Sequence, residues 1–370
     1  MPFLKEFLRL TLPSLVCCIL LGEIFFSFVI PASHQPWGYY DPIDQMYRFE
    51  IGQGTGVYTL GKFAEQRGRW RINNAGWNSA VDYFPRTERQ KPLIAIIGDS
   101  YVEAFQVDIE DSMAGRLREK LKNQFDVYEF GRSGAPLSQY LHMSRYVIKH
   151  YEPDIIIINV IHNDFDQSLL NENPVPFFLE LKTTGSEISE ASLLESEVTA
   201  NTLTKLAFRS AILRWVWSNL KYGELWKKPP QIIRVQGQVE AKVEPTNVAG
   251  GSLQRIADIY KATDYIVSRM KQETAGRELV FIMDALRSDI YNGTLESSRS
   301  RWMNDLLREV CERYDVKLID LTEPFLARYQ ASKVKFNSEY DGHWNEEGHR
   351  FAAEVLHAAL VNFGIVNDVR

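Results

Sequence analysis

The sequence predicts an α/β fold: a three-layer αβα sandwich built on a five-stranded, mainly parallel sheet and preceded by one N-terminal transmembrane helix. Strand and helix patterns alternate five times between residues 92 and 363, which is typical of a sheet with helical crossovers. The segment 153–161, PDIIIINVI, is apolar without alternation, as expected of a parallel strand covered on both faces. A long apolar run near the N-terminus predicts the transmembrane helix.

The apolar run covers residues 10–30 and contains one charged residue, Glu23. At about 1.5 Å per residue it is long enough to cross a hydrocarbon core of roughly 30 Å. Lys5 and Arg9 precede the run, and the next Lys or Arg is Arg48. Because basic residues favour the cytoplasmic side, we expect a cytoplasmic N-terminus and an extracytoplasmic remainder, periplasmic if the source is a Gram-negative bacterium.

Two other interpretations of the apolar run stay open. A cleaved signal peptide usually has a shorter apolar core of about 7–15 residues, and residues 31–33, PAS, make a poor cleavage site. A buried core helix is the second alternative. If the run spans a membrane, the charge of Glu23 is costly in lipid, so we expect it to face a partner helix or a water-filled defect.

Composition excludes several classes of function. The chain has 370 residues, of which 45% are hydrophobic, which supports a globular core. Its net charge of -6 gives no reason to expect nucleic acid as a partner. Cys17 and Cys18 are neighbours in the apolar run, and Cys311 is isolated. This pattern fits neither a disulfide framework nor a metal site. We therefore expect no metal, no other cofactor and no nucleic-acid partner.

The elements follow in order along the chain. Residues 32–90 show no sustained period, and we interpret them as an extracytoplasmic linker or N-terminal extension. GQGTG at 52–56 lacks the preceding strand and following helix of a dinucleotide-binding loop, so we interpret it as turns. The regular pattern begins at Pro92. It predicts strands at 93–97, 125–130, 153–161, 278–285 and 316–321, and helices from the first strand to about 122, at 137–150, 252–274 and 298–314, and after Asn345.

A long interruption separates the third predicted strand from the fourth. It contains an amphipathic stretch at 203–220 and a Pro-, Gln- and Val-rich stretch at 227–251 that looks like a flexible connection. From its position we expect an insertion that forms a lid or partner surface over the strand ends. The predicted organisation is a membrane anchor at 1–31, the extension at 32–90, the two parts of the sheet domain at 91–165 and 277–370, and the insertion at 166–276.

Polar residues follow the predicted strands. In such sheets the working site lies at the carboxyl ends of the strands, so we expect these distant segments to meet there. They are Gly98-Asp99-Ser100, Gly131-Arg132-Ser133-Gly134, His162-Asn163-Asp164, Asp284 with Arg287, and Asp341-Gly342-His343.

This set resembles the SGNH, or GDSL-type, hydrolase superfamily. The matching blocks are Gly98-Asp99-Ser100, Gly131, Asn163-Asp164, and Asp341 two residues before His343. DGHWNEEGH at 341–349 and INNAGWNS at 72–79 are most similar to the branch of polysaccharide O-acetyl esterases and acetyltransferases. The resemblance covers about 90–165 and 277–363, and it implies the flavodoxin-like SGNH sandwich.

The sequence departs from the superfamily at two positions. Ala104 stands where the superfamily often has glycine; alanine suits a helix, so we expect little cost. His162 stands where a small residue is often found before the asparagine. We expect it to pack at the strand end, with an oxyanion-pocket or substrate contact as the alternative.

The resemblance implies acyl transfer by a catalytic triad. Ser100 would be the nucleophile, His343 the base that takes its proton, and Asp341 the carboxylate that orients the imidazole. The backbone N–H groups of Ser100 and Gly131 and the side-chain amide of Asn163 would form the oxyanion hole.

Each of these residues also has a structural interpretation. Ser100 alone could cap a helix, and Ser133 is a rival nucleophile in a glycine-rich turn. His349 could join a metal site, but packing is the expected role. Asp284 and Arg287 are candidates for a substrate contact, with a structural ion pair as the equal alternative.

The implied function is a membrane-anchored, extracytoplasmic serine esterase that hydrolyses ester groups, in particular O-acetyl groups of a cell-envelope or exported polysaccharide. One alternative is an O-acetyltransferase, in which a sugar hydroxyl replaces water. The other is an inactive envelope scaffold or glycan-binding module that keeps the fold. The expected partners are an acylated carbohydrate or other ester substrate, the membrane through the N-terminal helix, and an envelope-assembly protein.

Overall fold

Strands of the molecule form a central sheet and smaller hairpins. The computed structural model describes residues 7–170, 177–185, 187–191, 202–220 and 253–367. The strands, numbered in chain order, are β1 (Gly38–Asp41), β2 (Met46–Phe49), β3 (Thr55–Leu60), β4 (Gln66–Arg71), β5 (Leu93–Gly98), β6 (Asp126–Gly131), β7 (Ile155–Val160), β8 (Leu181–Thr184), β9 (Glu187–Glu190), β10 (Glu278–Met283) and β11 (Lys317–Asp320).

The central sheet has five strands in the order β11–β10–β7–β5–β6, and every pair in it is parallel. These are the five predicted strands. The chain goes from β5 outward to β6 and then returns to the other side of β5 to form β7. This reversal creates the crevice at the carboxyl ends of β5 and β7 in which open α/β sheets bind ligands.

Some helices cover the two faces of the sheet, and others lie outside the sandwich. In chain order they are α1 (Leu12–Ile24), α2 (Ser100–Glu103), α3 (Met113–Leu121), α4 (Leu137–Tyr151), α5 (Asn163–Gln167), α6 (Thr202–Ala207), α7 (Ala211–Arg214), α8 (Leu253–Glu273), α9 (Arg287–Asn292), α10 (Arg301–Arg313), α11 (Thr322–Ser332) and α12 (Glu346–Asn362). π-Helical turns extend α1 on both sides, at Phe7–Thr11 and Phe25–Val29, and extend α7 through Trp215–Asn219.

The predicted three-layer sandwich is confirmed. Helices α4, α8 and α10 bury their apolar side chains on one face of the sheet, and α3, α11 and α12 do so on the other. Neighbouring residues of β5 alternate between the two faces: Ala95 and Ile97 join the first core, and Ile94 and Ile96 join the second. Every residue of β5 and β7 is buried, which explains why these strands are apolar without alternation.

The N-terminal extension contains two antiparallel hairpins, β1–β2 and β3–β4. Its Tyr47, Trp77 and Tyr83 are buried in the core beside α4. The region thus packs as part of the sandwich, whereas the sequence showed only an irregular linker. Its strands are as short as those of the central sheet, but they mix polar and apolar residues (GYYD, MYRF, TGVYTL and QRGRWR) and therefore give no continuous apolar run.

Part of the predicted insertion packs against the sandwich. The hairpin β8–β9 and helix α8 both lie against the face formed by α4, where Leu181, Ile259 and Ile266 are fully buried. Helix α8 therefore belongs to the sandwich, although its sequence position falls in the predicted insertion. The stretch 227–251, interpreted as a flexible connection, lies outside the described residues.

The N-terminal helix stands apart from the sandwich. Within the described part of the chain, Arg9–Val29 is the one helix long and apolar enough to cross a membrane, and none of its most apolar window is buried. A buried core helix would be covered by the rest of the protein, so the geometry disfavours that alternative. Length and composition leave a membrane anchor and a signal sequence as the interpretations.

The helix predicted to run from β5 to about residue 122 is interrupted at Ala104. This residue has φ 56° and ψ 42°, so α2 ends at Glu103, and α3 begins only at Met113. The expectation that Ala104 suits a helix is therefore wrong. The left-handed conformation favours glycine, because the Cβ of any other residue crowds the backbone there.

Replacing Ala104 with glycine tests this strain. Ala104 and Ala352, which lies inside α12, are both fully buried, so each glycine variant loses one buried methyl group. Glycine at 104 relieves the strain of the left-handed conformation, whereas glycine at 352 lowers the helix propensity of α12. The free energy of unfolding of Ala104→Gly should therefore be about 2 kcal/mol higher than that of Ala352→Gly. Urea unfolding of the full chain in detergent measures the difference, and equal stabilities would contradict the interpretation.

Candidate active site

The turn after β5 presents Ser100. Asp99 caps α2, because its Oδ1 accepts a hydrogen bond of 2.9 Å from the backbone N–H of Tyr101. Ser100 is therefore the first residue of the helix, which corrects the alternative that this serine is the cap. The first amides of a helix have no acceptor within it, so the backbone N–H of Ser100 is not used by α2 itself.

Ser100, His343 and Asp341 form a connected row. The Oγ of Ser100 lies 2.8 Å from Nε2 of His343. On the other side of the ring, Nδ1 lies 3.1 Å from Oδ2 of Asp341. That pair is within ion-pair distance, but the N–H direction at Nδ1 is poorly aligned with the oxygen. Catalytic hydrogen bonds are often loose in free enzymes and tighten when substrate binds.

Asp341 is held by several donors. Its Oδ1 accepts from the backbone N–H of His343 at 3.2 Å, and its Oδ2 accepts from Nε2 of Gln106 at 3.0 Å. Burial alone would raise the pKa of Asp341, but the hydrogen bonds from His343 and Gln106 and the charge of the imidazole outweigh burial and lower it. The carboxylate therefore stays ionised beside the ring.

A buried ion pair fixes the loop that carries His343. Arg287 donates to Oδ2 of Asp284 at 2.9 Å, and it also donates to the backbone oxygen of Gly342 at 2.9 Å and to the hydroxyl of Tyr101. Trp344 donates through Nε1 to Oδ1 of Asp284 at 2.9 Å. This geometry favours the structural ion pair, the second of the two roles expected for Asp284 and Arg287.

Two buried carboxyl groups lie below the nucleophile. Asp99 and Asp164 are almost fully buried, and burial, reinforced by other acidic groups nearby, raises the pKa of both above the usual range. Tyr140 donates to Oδ2 of Asp164 at 2.8 Å. The Oγ of Ser100 is also 3.3 Å from Oδ2 of Asp99, so His343 and Asp99 compete for the serine proton.

Asn163 begins α5 at the end of β7, the strand next to β5. One N–H of its amide donates to Oε1 of Gln167 at 3.1 Å, and an amide group has a second N–H. His162 lies within hydrogen-bond distance of Asn304, at 2.9 Å between Nε2 and Oδ1, and burial lowers its pKa. The packing role expected for His162 fits this contact.

Gly131 is required by close packing. A Cβ at this position would lie 2.0 Å from the backbone nitrogen of Glu103, so the end of β6 fits against α2 only without a side chain. The turn after Gly131 is tied to the same helix, because Arg132 and Ser133 both donate to the carboxylate of Glu103. The hydroxyl of Ser133, the rival nucleophile, thus donates to Glu103 and not to His343.

Gln106 is the residue that sequence reasoning missed. It is buried, and its backbone oxygen accepts from the side chain of Gln66 at 2.9 Å. Gln66 in turn accepts from Ser338 at 2.5 Å, and the backbone N–H of Ser338 donates to the oxygen of His343 at 2.7 Å. No local pattern signals an amide whose partner lies 235 residues away.

Two other motif residues have structural roles. His349 accepts through Nδ1 from the backbone N–H of Met113 at 3.2 Å, and burial lowers its pKa to about 3, as expected of a packed, neutral ring. Asn78, from the INNAGWNS block, donates to the backbone oxygen of Glu103 at 2.7 Å. That bond satisfies a carbonyl at the end of α2.

Comparison with known proteins gives one family and a set of distant structures. A profile of the GDSL-like Lipase/Acylhydrolase family matches residues 96–351, whereas no curated protein matches the chain. A member of the lipolytic protein G-D-S-L family from Veillonella parvula DSM 2008 is similar at 10% identity and a TM-score of 0.40, over 73% of this chain and 98% of its own. An acetyl xylan esterase, AlAXEase, is similar at 14% identity and a TM-score of 0.40, over 72% of this chain and 99% of its own.

The family match extends from β5 into α12. It includes the turn at Ser100, the end of β7 at Asn163 and the loop at 341–343, which are the blocks on which the resemblance to SGNH hydrolases rested. The match covers well over half of the chain. The chain therefore belongs to the GDSL-like lipase/acylhydrolase family, and it is an SGNH-type hydrolase of ester bonds.

Proposed function

We propose that this esterase acts through an acyl-serine intermediate on Ser100, with His343 as general base and Asp341 as the carboxylate that orients it. The observation that carries the proposal is the 2.8 Å distance between Oγ of Ser100 and Nε2 of His343. A serine hydroxyl is a weak nucleophile until a neighbouring base takes its proton, and this distance suits that transfer.

The reaction proceeds in two halves. The Oγ of Ser100 attacks the ester carbonyl while Nε2 of His343 takes the hydroxyl proton, and the same proton then passes to the departing alcohol. Water attacks the acyl-serine in the second half, giving its proton to His343, and the carboxylic acid leaves as Oγ recovers a proton. Asp341 stabilises the imidazolium that forms in each half.

The raised pKa of Asp99, about 6, lets this buried carboxyl take a proton in mildly acidic solution. The protonated form has no negative charge 3.3 Å from Oγ of Ser100, and a neutral carboxyl oxygen is a weaker acceptor than a carboxylate. At neutral pH Asp99 is mainly ionised, and its Oδ2 then competes with His343 for the serine proton.

The oxyanion hole that we propose contains the backbone N–H groups of Ser100 and Gly131 and the side-chain amide of Asn163. Ser100 and Asn163 follow adjacent parallel strands, so their donors lie along the same edge. Donors fixed before the reaction stabilise the negative charge of the tetrahedral intermediate without reorganisation.

We further propose that the enzyme is anchored in a membrane by its N-terminal helix and acts outside the cytoplasm on O-acetyl esters of a polysaccharide. An exposed apolar helix of 21 residues supports the anchor, and Lys5 and Arg9 on its N-terminal side support the orientation. The similarity of DGHWNEEGH to the polysaccharide-acetylesterase branch supports the substrate class.

Loss of the nucleophile or the base should abolish turnover. We expect Ser100→Ala and His343→Ala to lower kcat for a nitrophenyl acetate by at least about 10³-fold with little change in Tm, because the remaining groups still pack while the proton transfer is lost. Ser144→Ala, a buried serine of α4, is the matched control and should keep its activity. Activity that remains in Ser100→Ala, or activity that is lost in Ser133→Ala but not in Ser100→Ala, would contradict the assignment.

Loss of the Asn163 amide should affect the transition state more than substrate binding. We expect Asn163→Ala to lower kcat by about 10²–10³-fold with little change in KM. Gln167→Ala removes the acceptor that Asn163 contacts in the resting enzyme, and it should keep kcat near that of the wild type. A fully active Asn163→Ala enzyme would show that the amide is not an oxyanion donor.

Gln106 should act as a positioning residue through Asp341. Gln106→Leu removes a donor that lowers the pKa of Asp341, so we expect the acid limb of the pH–rate profile to move to higher pH and kcat/KM to fall about tenfold. Gln139→Leu removes another buried glutamine, which binds the backbone of Leu179, and should lower stability without moving the profile. If the pH–rate profile of Gln106→Leu were unshifted, Gln106 would have only a structural role.

A further inference from the structure

The carboxylate of Glu23, inside the apolar N-terminal helix, has specific partners in the insertion. Its Oε2 accepts from the backbone N–H of Ala211 at 2.7 Å, and its Oε1 accepts from the hydroxyl of Ser210. Both donors lie at the N-terminus of α7, where the helix dipole favours a negative charge. The one acidic residue of the apolar run is therefore satisfied within the protein.

Further contacts join the same two segments. A Cβ on Gly22 would lie 2.9 Å from the terminal methyl group of Ile212, so glycine at this position lets Ile212 pack directly against the N-terminal helix. One turn further along, the rings of Phe26 and Trp215 stack with centroids 4.4 Å apart. The three contacts, at residues 22, 23 and 26, follow one face of the N-terminal helix.

The segment 202–220 is also fastened to the extracytoplasmic part of the molecule. The side chain of Asn219 donates to Thr59 and to the backbone oxygen of Gly61, each at 2.9 Å. Trp215 donates through Nε1 to the backbone oxygen of Lys62 at 2.9 Å. Residues 210–219 thus connect the N-terminal helix rigidly to the hairpin β3–β4.

The outer side of the segment is apolar and exposed. Leu203, Leu206 and Leu213 are 76%, 58% and 48% exposed. The neighbouring side chains of the N-terminal helix are exposed as well, including Leu20 and Ile24. Exposed apolar side chains therefore occur on both of the segments that meet at Glu23.

The depth of this contact fits the boundary of a bilayer. Glu23 lies six residues before the end of the candidate span at Val29, or about 9 Å along the helix axis. Interfacial helices bury their apolar faces about 5–10 Å into the headgroup and acyl boundary. Tryptophan is enriched at that level, and the segment contains Trp215 and Trp217.

We propose that residues 202–220 form an interfacial segment that binds the lipid surface through Leu203, Leu206 and Leu213 while it caps Glu23 of the membrane anchor. The inference rests on the anchoring proposed above and goes beyond it, because it assigns part of the insertion to the membrane. The segment fixes the orientation of the esterase relative to the bilayer, where a single helix alone would act as a flexible tether.

Lipid quenching of site-specific fluorophores tests the inference. The full chain, with Cys17, Cys18 and Cys311 replaced by alanine, is labelled with an environment-sensitive dye in single variants and reconstituted into phosphatidylcholine–phosphatidylglycerol vesicles. The variants are Leu206→Cys and Leu213→Cys in the segment, Leu20→Cys in the anchor, and Ile43→Cys as an exposed apolar control in the turn between β1 and β2. Each labelled protein must keep the esterase activity of the unlabelled chain.

Nitroxide lipids should lower the fluorescence about twofold at positions 20, 206 and 213 and leave it unchanged at 43, since only residues in the acyl boundary meet the quencher. Quenching at 20 without quenching at 206 and 213 would overturn the interfacial segment while the anchor stands. Absence of quenching at 20 would overturn the anchor, and this inference with it. Shielding of 206 from aqueous iodide without lipid quenching would show that protein, such as a second copy of the chain, covers the segment, and would also overturn the inference.

Discussion

The contact between Ser100 and His343 joins residues 243 positions apart, and it depends on the buried ion pair of Asp284 and Arg287. Arg287 spans the distance between the end of β10 and the loop at 341–343, and it also binds Tyr101, the residue after the nucleophile. One guanidinium therefore helps to position both the loop that contains His343 and the helix that contains Ser100. Its planar array of donors suits this role, because five N–H groups in a fixed geometry can serve several acceptors at once.

Hydrogen bonds to both members of this buried ion pair offset the free-energy cost of removing their charges from water. Burial alone would lower the pKa of Arg287, but Asp284 and the neighbouring tyrosines keep the pKa raised. Both oxygens of Asp284 accept hydrogen bonds, from Trp344, Arg287 and the backbone of Ala285. A buried pair with satisfied partners specifies one arrangement, whereas loss of one member leaves an uncompensated charge. The positions of Ser100 and His343 are thus maintained by residues outside the row of Ser100, His343 and Asp341.

Much of this arrangement could be predicted from the sequence, because it depends on strong local patterns. The five strands of the central sheet are short apolar runs. The blocks at Ser100 and Asn163 directly follow β5 and β7, and the block at 341–343 lies in the loop between α11 and α12. The hairpins of the extension could not be predicted, since their strands mix polar and apolar residues and are only partly buried. The break at Ala104 was missed because alanine itself favours a helix. The one signal was the glycine that the superfamily often has at this position, since glycine fits a left-handed backbone.

The contacts between remote segments were the least predictable. Gln106 reaches Asp341, and Glu23 reaches the N-terminus of α7, through tertiary packing that leaves no periodic trace in the chain. For Glu23 the cost of a charge in an apolar run indicated that a partner was needed, but the identity of the partner came only with the fold. The sequence thus indicated that the Glu23 carboxylate needs hydrogen-bond donors, and the fold showed that Ser210 and Ala211 supply them.

Covalent labelling of the native full chain tests the central claim most directly. A fluorophosphonate reacts with a serine only when a neighbouring base activates its hydroxyl. Peptide mapping of the labelled protein by mass spectrometry should find a single adduct on Ser100, and the adduct should disappear in His343→Ala. An adduct on Ser133 instead, or an active esterase that forms none, would contradict the account.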